Sequence, residues 1–271
     1  MLISANTGLR SLRPGRLRFD MPDTVDFFAD VGFEAIDVNF CATVYDGEFM
    51  HESILDGDWV SNIERLRERI EQRGLRVYQT HLPFRYNYET DKKYYEDEMM
   101  MRSIRASRML GASFAVSHPI HTADHHTLIP ETLAAYRNIS KAANDMGIAL
   151  AMENMFHSTA EEMVEIADTL GCAVCWDAGH ANIGGFSQAD SLRLIGKRLG
   201  ALHLHDNYGT KDCHNAPYFG NINWDELVSV LNEIDYTGAF NYEVIRYNIP
   251  DALYLHHAKY LVRAAELMLG R

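Results

Sequence analysis

Long apolar runs are missing from this chain. Of its 271 residues 47% are hydrophobic, yet no stretch approaches the roughly eighteen consecutive apolar residues that cross a bilayer. That composition is ordinary for a globular protein in water, and no membrane partner is expected. Excess positive charge is missing as well: 25 Lys and Arg stand against 38 Asp and Glu, a net charge of −13. Duplex binding draws on a basic surface that displaces counterions, so nucleic acid is disfavoured as a partner and a small molecule favoured. The segment "LRSLRPGRLR" carries four Arg and reads as a solvated loop. The opening "MLISANTGLRSLRPGRLRF" has no apolar core of the kind a signal peptide needs, and a cytoplasmic location is the expectation. Cysteine is scarce: Cys41, Cys172, Cys175 and Cys213. Cys172 and Cys175 form a C-x-x-C, but inside a strand-like run, where residues three apart face opposite ways. A redox motif would open a helix instead, so reduced thiols are expected. Finally, "NTGLRSLRPG" after the first strand-like run does not match G-x-G-x-x-G, the sign of a nucleotide-binding open sheet.

What recurs is a short apolar strand, a loop and an amphipathic helical stretch, with no low-complexity tract or linker between them. Strands are expected at Leu2–Asn6, Ala35–Phe40, Arg76–His81, Ser113–His118, Ile148–Asn154, Ala173–Asp177, Ala201–Asp206 and Ala239–Val244. Helical periodicity runs through "DWVSNIERLRERIEQRG" and "ETLAAYRNISKAANDMG". "TAEEMVEIADTLG" opens on a capping box, Thr159 to Glu162, and stops at Gly171. Eight strands alternating with helices predict one α/β domain over residues 1–271, a (β/α)₈ TIM barrel.

Alternate strand residues share a face. In the fifth strand Ile148, Leu150 and Met152 oppose Ala149, Ala151 and Glu153. Val174 and Trp176 oppose Ala173, Cys175 and Asp177; Leu202 and Leu204 oppose Ala201, His203 and His205; Phe240, Tyr242 and Val244 oppose Ala239, Asn241 and Glu243. One face is large and apolar, suited to packing under helices. The other is small and ends in a carboxylate or His. His81 and His118 close the third and fourth strands more loosely. These ends should meet at the mouth where this fold builds its active sites. Converging carboxylates without Lys or Arg would repel one another, so a divalent metal between them is expected.

The motifs "AMEN", "WDAGH", "LHLHDN" and "NYEV" resemble those of the xylose isomerase-like TIM barrels, sugar phosphate isomerases and epimerases, along essentially the whole chain. The D-tagatose 3-epimerase-like members hold one divalent metal, often Mn²⁺. The resemblance assigns its ligands to Glu153, Asp177, His203 and Glu243, and a substrate-contacting role to His180. His203 is preferred to His205 because it fits the family's His-x-x-acid pattern with Asp206. The chain is also similar to endonuclease IV, which binds three zinc ions through nine ligands. Their counterparts here are His81, His118, Glu153, Asp177, His180, His203, Asp212, His214 and Glu243. Against nuclease activity stand the acidic charge and the want of a basic, aromatic loop set to wrap a kinked duplex.

The expected function is therefore a metal-dependent sugar or sugar-phosphate isomerase or epimerase. Glu153 and Glu243 would move a proton beside a carbonyl through an enediolate. Alternatives on the same barrel are a lyase or dehydratase of keto-sugars or keto-inositols and a multinuclear zinc phosphoesterase. Mn²⁺, Mg²⁺, Co²⁺ and Zn²⁺ all suit the ligand set; a second or third Zn²⁺ would use the extra His. His81, His118, His180, Asp212 and His214 serve substrate or additional metal, and Asn154 supports Glu153. Arg246 is read equally as a contact to an anionic substrate or a surface ion pair, and "FRYNYETDKKYY" as an ordinary loop or as a lid with sugar contacts from Tyr86 and Tyr88. Lys211 lies in a loop rather than at a strand end, which argues against Schiff-base chemistry. Relatives of this kind are often dimers or tetramers, so a homo-oligomer is compatible.

Overall fold

A computed structural model describes residues 1–11, 21–40, 55, 57–83, 98–119, 130–244 and 249–271. Eight parallel strands form its centre: β1 Leu2–Asn6, β2 Ala35–Asn39, β3 Gln79–His81, β4 Phe114–Ser117, β5 Ala149–Glu153, β6 Ala173–Asp177, β7 Leu199–His203 and β8 Ala239–Tyr242. Each pairs with its sequence neighbour, and β1 also pairs with β8. The last seam, β7 to β8, is closed by Leu204: its N–H donates to Asn241 O at 2.9 Å and its carbonyl accepts from Glu243 N at 3.0 Å. Outside lie α1 Met21–Val31, α2 Trp59–Gln72, α3 Glu98–Met109, α4 Pro130–Asp145, α5 Ala160–Leu170, α6 Gln188–Ile195, α7 Trp224–Glu233 and α8 Asp251–Met268. This is the (β/α)₈ barrel that the alternation predicts. Among the described residues no helix is long and apolar enough to cross a membrane.

Local chemistry explains the boundaries. The capping box forms as read: Glu162 N donates to Thr159 Oγ1 at 3.2 Å and Thr159 N to Glu162 Oε2 at 2.8 Å. Gly171 ends α5 with φ of 62°, the left-handed turn that a Cβ disfavours. The seventh strand corrects the sequence reading. It starts at Leu199, two residues before the expected Ala201, and continues past His203 only through single bridges at Leu204 and Asp206. A Cβ on Gly200 would lie 2.5 Å from the Phe114 ring. The glycine serves close strand packing rather than a turn. β3 is also shorter than read, with Arg76 joined to Ala35 by an isolated bridge.

The two strand faces separate as the alternation requires. Val116, Ala151, Cys175 and Ala201, with Phe114 and Ala173 beside them, fill one side of the barrel interior. Leu150, Met152, Val174, Trp176, Leu202, Phe240 and Tyr242 pack outward into the core shared with the helices. The other side of the interior is polar: Asn6, Asp37, Gln79 and Asn241 are buried there. Small residues on the inward face let the strand ends converge, and that convergence positions the site.

Candidate metal centre

Glu153 ends β5 fully buried. Its Oε2 lies 3.0 Å from His118 Nε2 and 3.2 Å from His81 Nε2. Its Oε1 lies 3.0 Å from His203 Nδ1 and 3.6 Å from His180 Nδ1. Glu243 Oε2 approaches the same His203 Nδ1 at 3.5 Å. Asp177, at the end of β6, stands beside this group against His180 and His205. It caps the short helix Ala178–Ile183, accepting from His180 N at 2.6 Å. The Asn154 carboxamide clamps the same turn, accepting from Asp177 N at 2.6 Å and donating to Asp177 O at 3.0 Å. Asp177 is thus fixed at backbone and side chain alike.

A second cluster forms the outer wall. Asp212 Oδ2 lies 3.1 Å from His214 Nε2 and 3.6 Å from His180 Nε2. His180 and His214 turn their Nδ1 atoms to the carbonyls of Asn154 at 2.8 Å and Glu243 at 2.7 Å. Those carbonyls hold the Nδ1 protons and leave each Nε2 facing Asp212. All nine ligand positions implied by the resemblance lie at ion-pair distance from another member of the set, Asp177 joining through His180 at 3.8 Å. Arg246, Tyr86 and Tyr88 lie outside the described residues.

Sequence reasoning missed three groups. His205, set aside in favour of His203, is fully buried with Nε2 3.1 Å from Asp177 Oδ1, and stacks on His214 at a centroid distance of 4.1 Å. Its inward position was legible in the strand alternation. Cys175 belongs with Glu153 and His203 in one potential metal-holding group, although burial pushes its thiol up to about 12. Asp37 lies mid-strand below His203, where no strand-end rule points. Conversely, Asp206 is structural: its carboxylate accepts from Asn207 N at 2.9 Å, Ile222 N at 3.2 Å and Trp224 Nε1 at 3.0 Å. Asp206→Ala would leave those donors without this acceptor, and urea denaturation should show a loss of about 3 kcal/mol or more.

The donor set fits a divalent cation. Glu153 Oε1 and His203 Nδ1 are buried without a hydrogen bond and face each other. Burial alone would push the Glu153 carboxyl up, but the His203 and His118 imidazoles hold it well below the usual carboxylate range. Burial would lower His203, yet the Glu153 and Glu243 carboxylates hold it well above an ordinary imidazole. Against the same burial penalty Asp177 and Asp212 raise His180 to about 10. Asp212 and Glu243 raise His214 to about 9. Without a cation, protons on His203, His180 and His214 balance the carboxylates, while burial holds His118 below an ordinary imidazole.

The pH dependence of the metal-free protein follows. Raised imidazoles contribute stability fully present below their unfolded value of about 6.5. It is lost as pH rises through about 9 for His214 and about 10 for His180. Glu153, Asp177 and Asp212 are held low, and their contribution is lost at acid pH. Melting in chelator should therefore decline steadily from pH 6.5 to 10. Bound metal displaces the ring protons and should flatten that slope. A metal-free melting point that climbs over this range would refute the charge balance.

The sequence profile of the xylose isomerase-like TIM barrel matches residues 25–264. The chain belongs to that family. Among family-wide likenesses, D-psicose 3-epimerase of Enterocloster bolteae is 23% identical, over 81% of this chain and 75% of that protein. The uncharacterized protein y4fM of Sinorhizobium fredii is 25% identical, over 64% of this chain and 61% of its own length. MJ1311 of Methanocaldococcus jannaschii is 32% identical, over 46% of each. The match thus spans about half to three-fifths of these last two relatives. A crystal structure of D-psicose 3-epimerase in the presence of D-fructose superposes over all of both chains, with a TM-score of 0.77 and 18% identity. L-ribulose 3-epimerase superposes over 99% of this chain and 94% of its own, with a TM-score of 0.75 and 18% identity. At such identities the likeness is one of fold.

Proposed function

We propose that this xylose isomerase-like barrel is a divalent-metal-dependent epimerase or isomerase of a small ketose or aldose. The observation that carries the reading is two carboxylates, Glu153 and Glu243, facing one buried imidazole nitrogen at 3.0 and 3.5 Å. Relatives that bear the names of sugar 3-epimerases support the substrate class.

Glu153, Asp177, His203 and Glu243 would hold the cation, with Mn²⁺, Mg²⁺, Co²⁺ and Zn²⁺ all suited to the donors. A cation bound there supplies Lewis acidity to a sugar carbonyl and lowers the barrier to losing the adjacent proton. Glu243 is 17% exposed at its side chain and Glu153 fully buried. Glu243 is thus the carboxylate that an entering substrate meets first. It takes the proton beside the carbonyl, and Glu153 or a water returns one to the opposite face. Phe156 packs edge-on against His180 at 4.6 Å and is partly exposed. It offers an apolar edge on which a sugar ring or chain can rest.

A second reading has its own observation. His81, His118 and Glu153 form one compact ligand group, and His205, Asp212 and His214 another. A multinuclear zinc phosphoesterase would fill these as well. A lyase or dehydratase would share the proton abstraction and then expel a leaving group. Elemental analysis on untagged protein purified without chelator separates the readings. About one metal per chain, with turnover on a ketose panel, supports the epimerase. Two or three zinc ions, with hydrolysis of abasic DNA or small phosphate esters, supports the phosphoesterase. No metal under any loading condition refutes both.

A further inference from the structure

Asp37 is a fully buried carboxylate in the middle of β2, inside the barrel. Among the described residues no Lys or Arg forms an ion pair with it; the partner of that kind is His203. Three carboxamides converge on its Oδ2: Asn241 Nδ2 at 2.9 Å, Gln79 Nε2 at 3.2 Å and Asn6 Nδ2 at 3.4 Å. Its Oδ1 is buried without a hydrogen bond. Neutral amides soften the burial of a charge but do not neutralise it, and such a carboxylate is costly to keep. Its place in the fold suggests what it does.

His203 lies directly above. Its Nε2 is 3.6 Å from Asp37 Oδ2, while Nδ1 faces Glu153 and Glu243 at the mouth. The ring is stacked on His81 at 5.4 Å, 14° from parallel, so its plane is already set. Gln79 ties the same network to the backbone just before His203, donating to Leu202 O at 3.2 Å and accepting from Leu202 N at 3.4 Å. An imidazole that offers Nδ1 to a cation must carry its proton on Nε2, and a buried N–H needs an acceptor. Asp37 stands where that acceptor is required. A shift of roughly 0.7 Å closes 3.6 Å into a charge-assisted hydrogen bond of about 2.9 Å.

We propose that Asp37 is a positioning residue: it receives the Nε2 proton of His203 and thereby presents Nδ1 to the cation held by Glu153 and Glu243. The inference rests on the reading in which His203 is a metal ligand. Asp37 reaches that role from below through the barrel interior, and touches neither substrate nor metal.

The test is Co²⁺ titration of chelator-stripped wild-type, D37N and E153Q protein, followed by visible absorption, beside melting of each in chelator. D37N should bind Co²⁺ about 10–100-fold more weakly, the range for orienting partners of metal-bound His. Its metal-free melting point should be unchanged or higher, because a buried charge becomes a neutral amide. Asp37→Ser, which removes the charge and leaves room for a water, is read the same way should D37N not fold. Wild-type affinity in D37N overturns the proposal and leaves the metal site standing. Affinity and metal-free stability falling together overturn it too, since Asp37 would then merely hold the strands. No Co²⁺ binding by wild type defeats the metal reading itself, and the proposal with it.

Discussion

Glu153→Gln is expected to abolish stoichiometric metal binding and to cut sugar turnover by at least about 10²–10⁴-fold, the worth of a general acid–base group. Four imidazole nitrogens lie between 3.0 and 3.6 Å of its two oxygens. An amide keeps the shape but loses the charge and turns one acceptor into a donor. That donor would face either the His203 and His180 nitrogens or those of His81 and His118. His203 also loses one of the carboxylates that hold it protonated. The variant should stay folded, since the apolar barrel wall of Val116, Ala151 and Ala201 is untouched. Elemental analysis and circular dichroism on the same sample check both halves. Undiminished metal content in a folded E153Q would remove Glu153 from the site.

Gly179→Ala should be the most damaging single-methyl change at the mouth. A Cβ on Gly179 would lie 1.9 Å from His205 Cε1, 2.3 Å from Nδ1 and 2.5 Å from Nε2. Neither side can yield. His205 is held by both Asp177 oxygens, at 3.1 and 3.2 Å, and by stacking on His214. Gly179 is held through its carbonyl, which accepts from Asn207 Nδ2 at 2.9 Å. Overpacking of this kind costs about 1–3 kcal/mol or more, and here it also displaces Asp177. Removing the obstruction should restore much of the loss, so G179A with His205→Gly should be more stable than G179A alone. That coupling is readable in a double-mutant cycle by urea denaturation. A single variant within about 0.5 kcal/mol of wild type would contradict the packing, since surface-like tolerance is the mark of a position with room.

The glycine of "WDAGH" also shows where the sequence was legible and where it was not. Alternation of small and large residues along β5 to β8 was enough to predict which face turns inward, because a period of two survives any barrel. It brought Glu153, Asp177, His203 and Glu243 to one mouth. What the period cannot show is contact across strands. The match between Gly179 and the His205 ring joins two segments 26 residues apart, and neither residue signals the other. Asp37 shares the inward register of β2 with Ala35. Strand-end position gives no sign of it, since this carboxylate lies one layer deeper in the barrel. Asp206 was read through the His-x-x-acid pattern, and its carboxylate turned out to anchor Trp224 and the loop beyond β7.

Solvent exchange tests the central claim most directly. Metal-loaded protein would be incubated with D-psicose, D-fructose, D-tagatose and L-ribulose in deuterated water, and the sugars read by proton NMR. Proton transfer beside a carbonyl predicts deuterium entering a carbon next to the carbonyl of at least one ketose, in step with its epimer or isomer, and no entry with Glu153→Gln. Metal-loaded wild type that leaves every carbon-bound proton in place, across these and phosphorylated ketoses, would contradict the account.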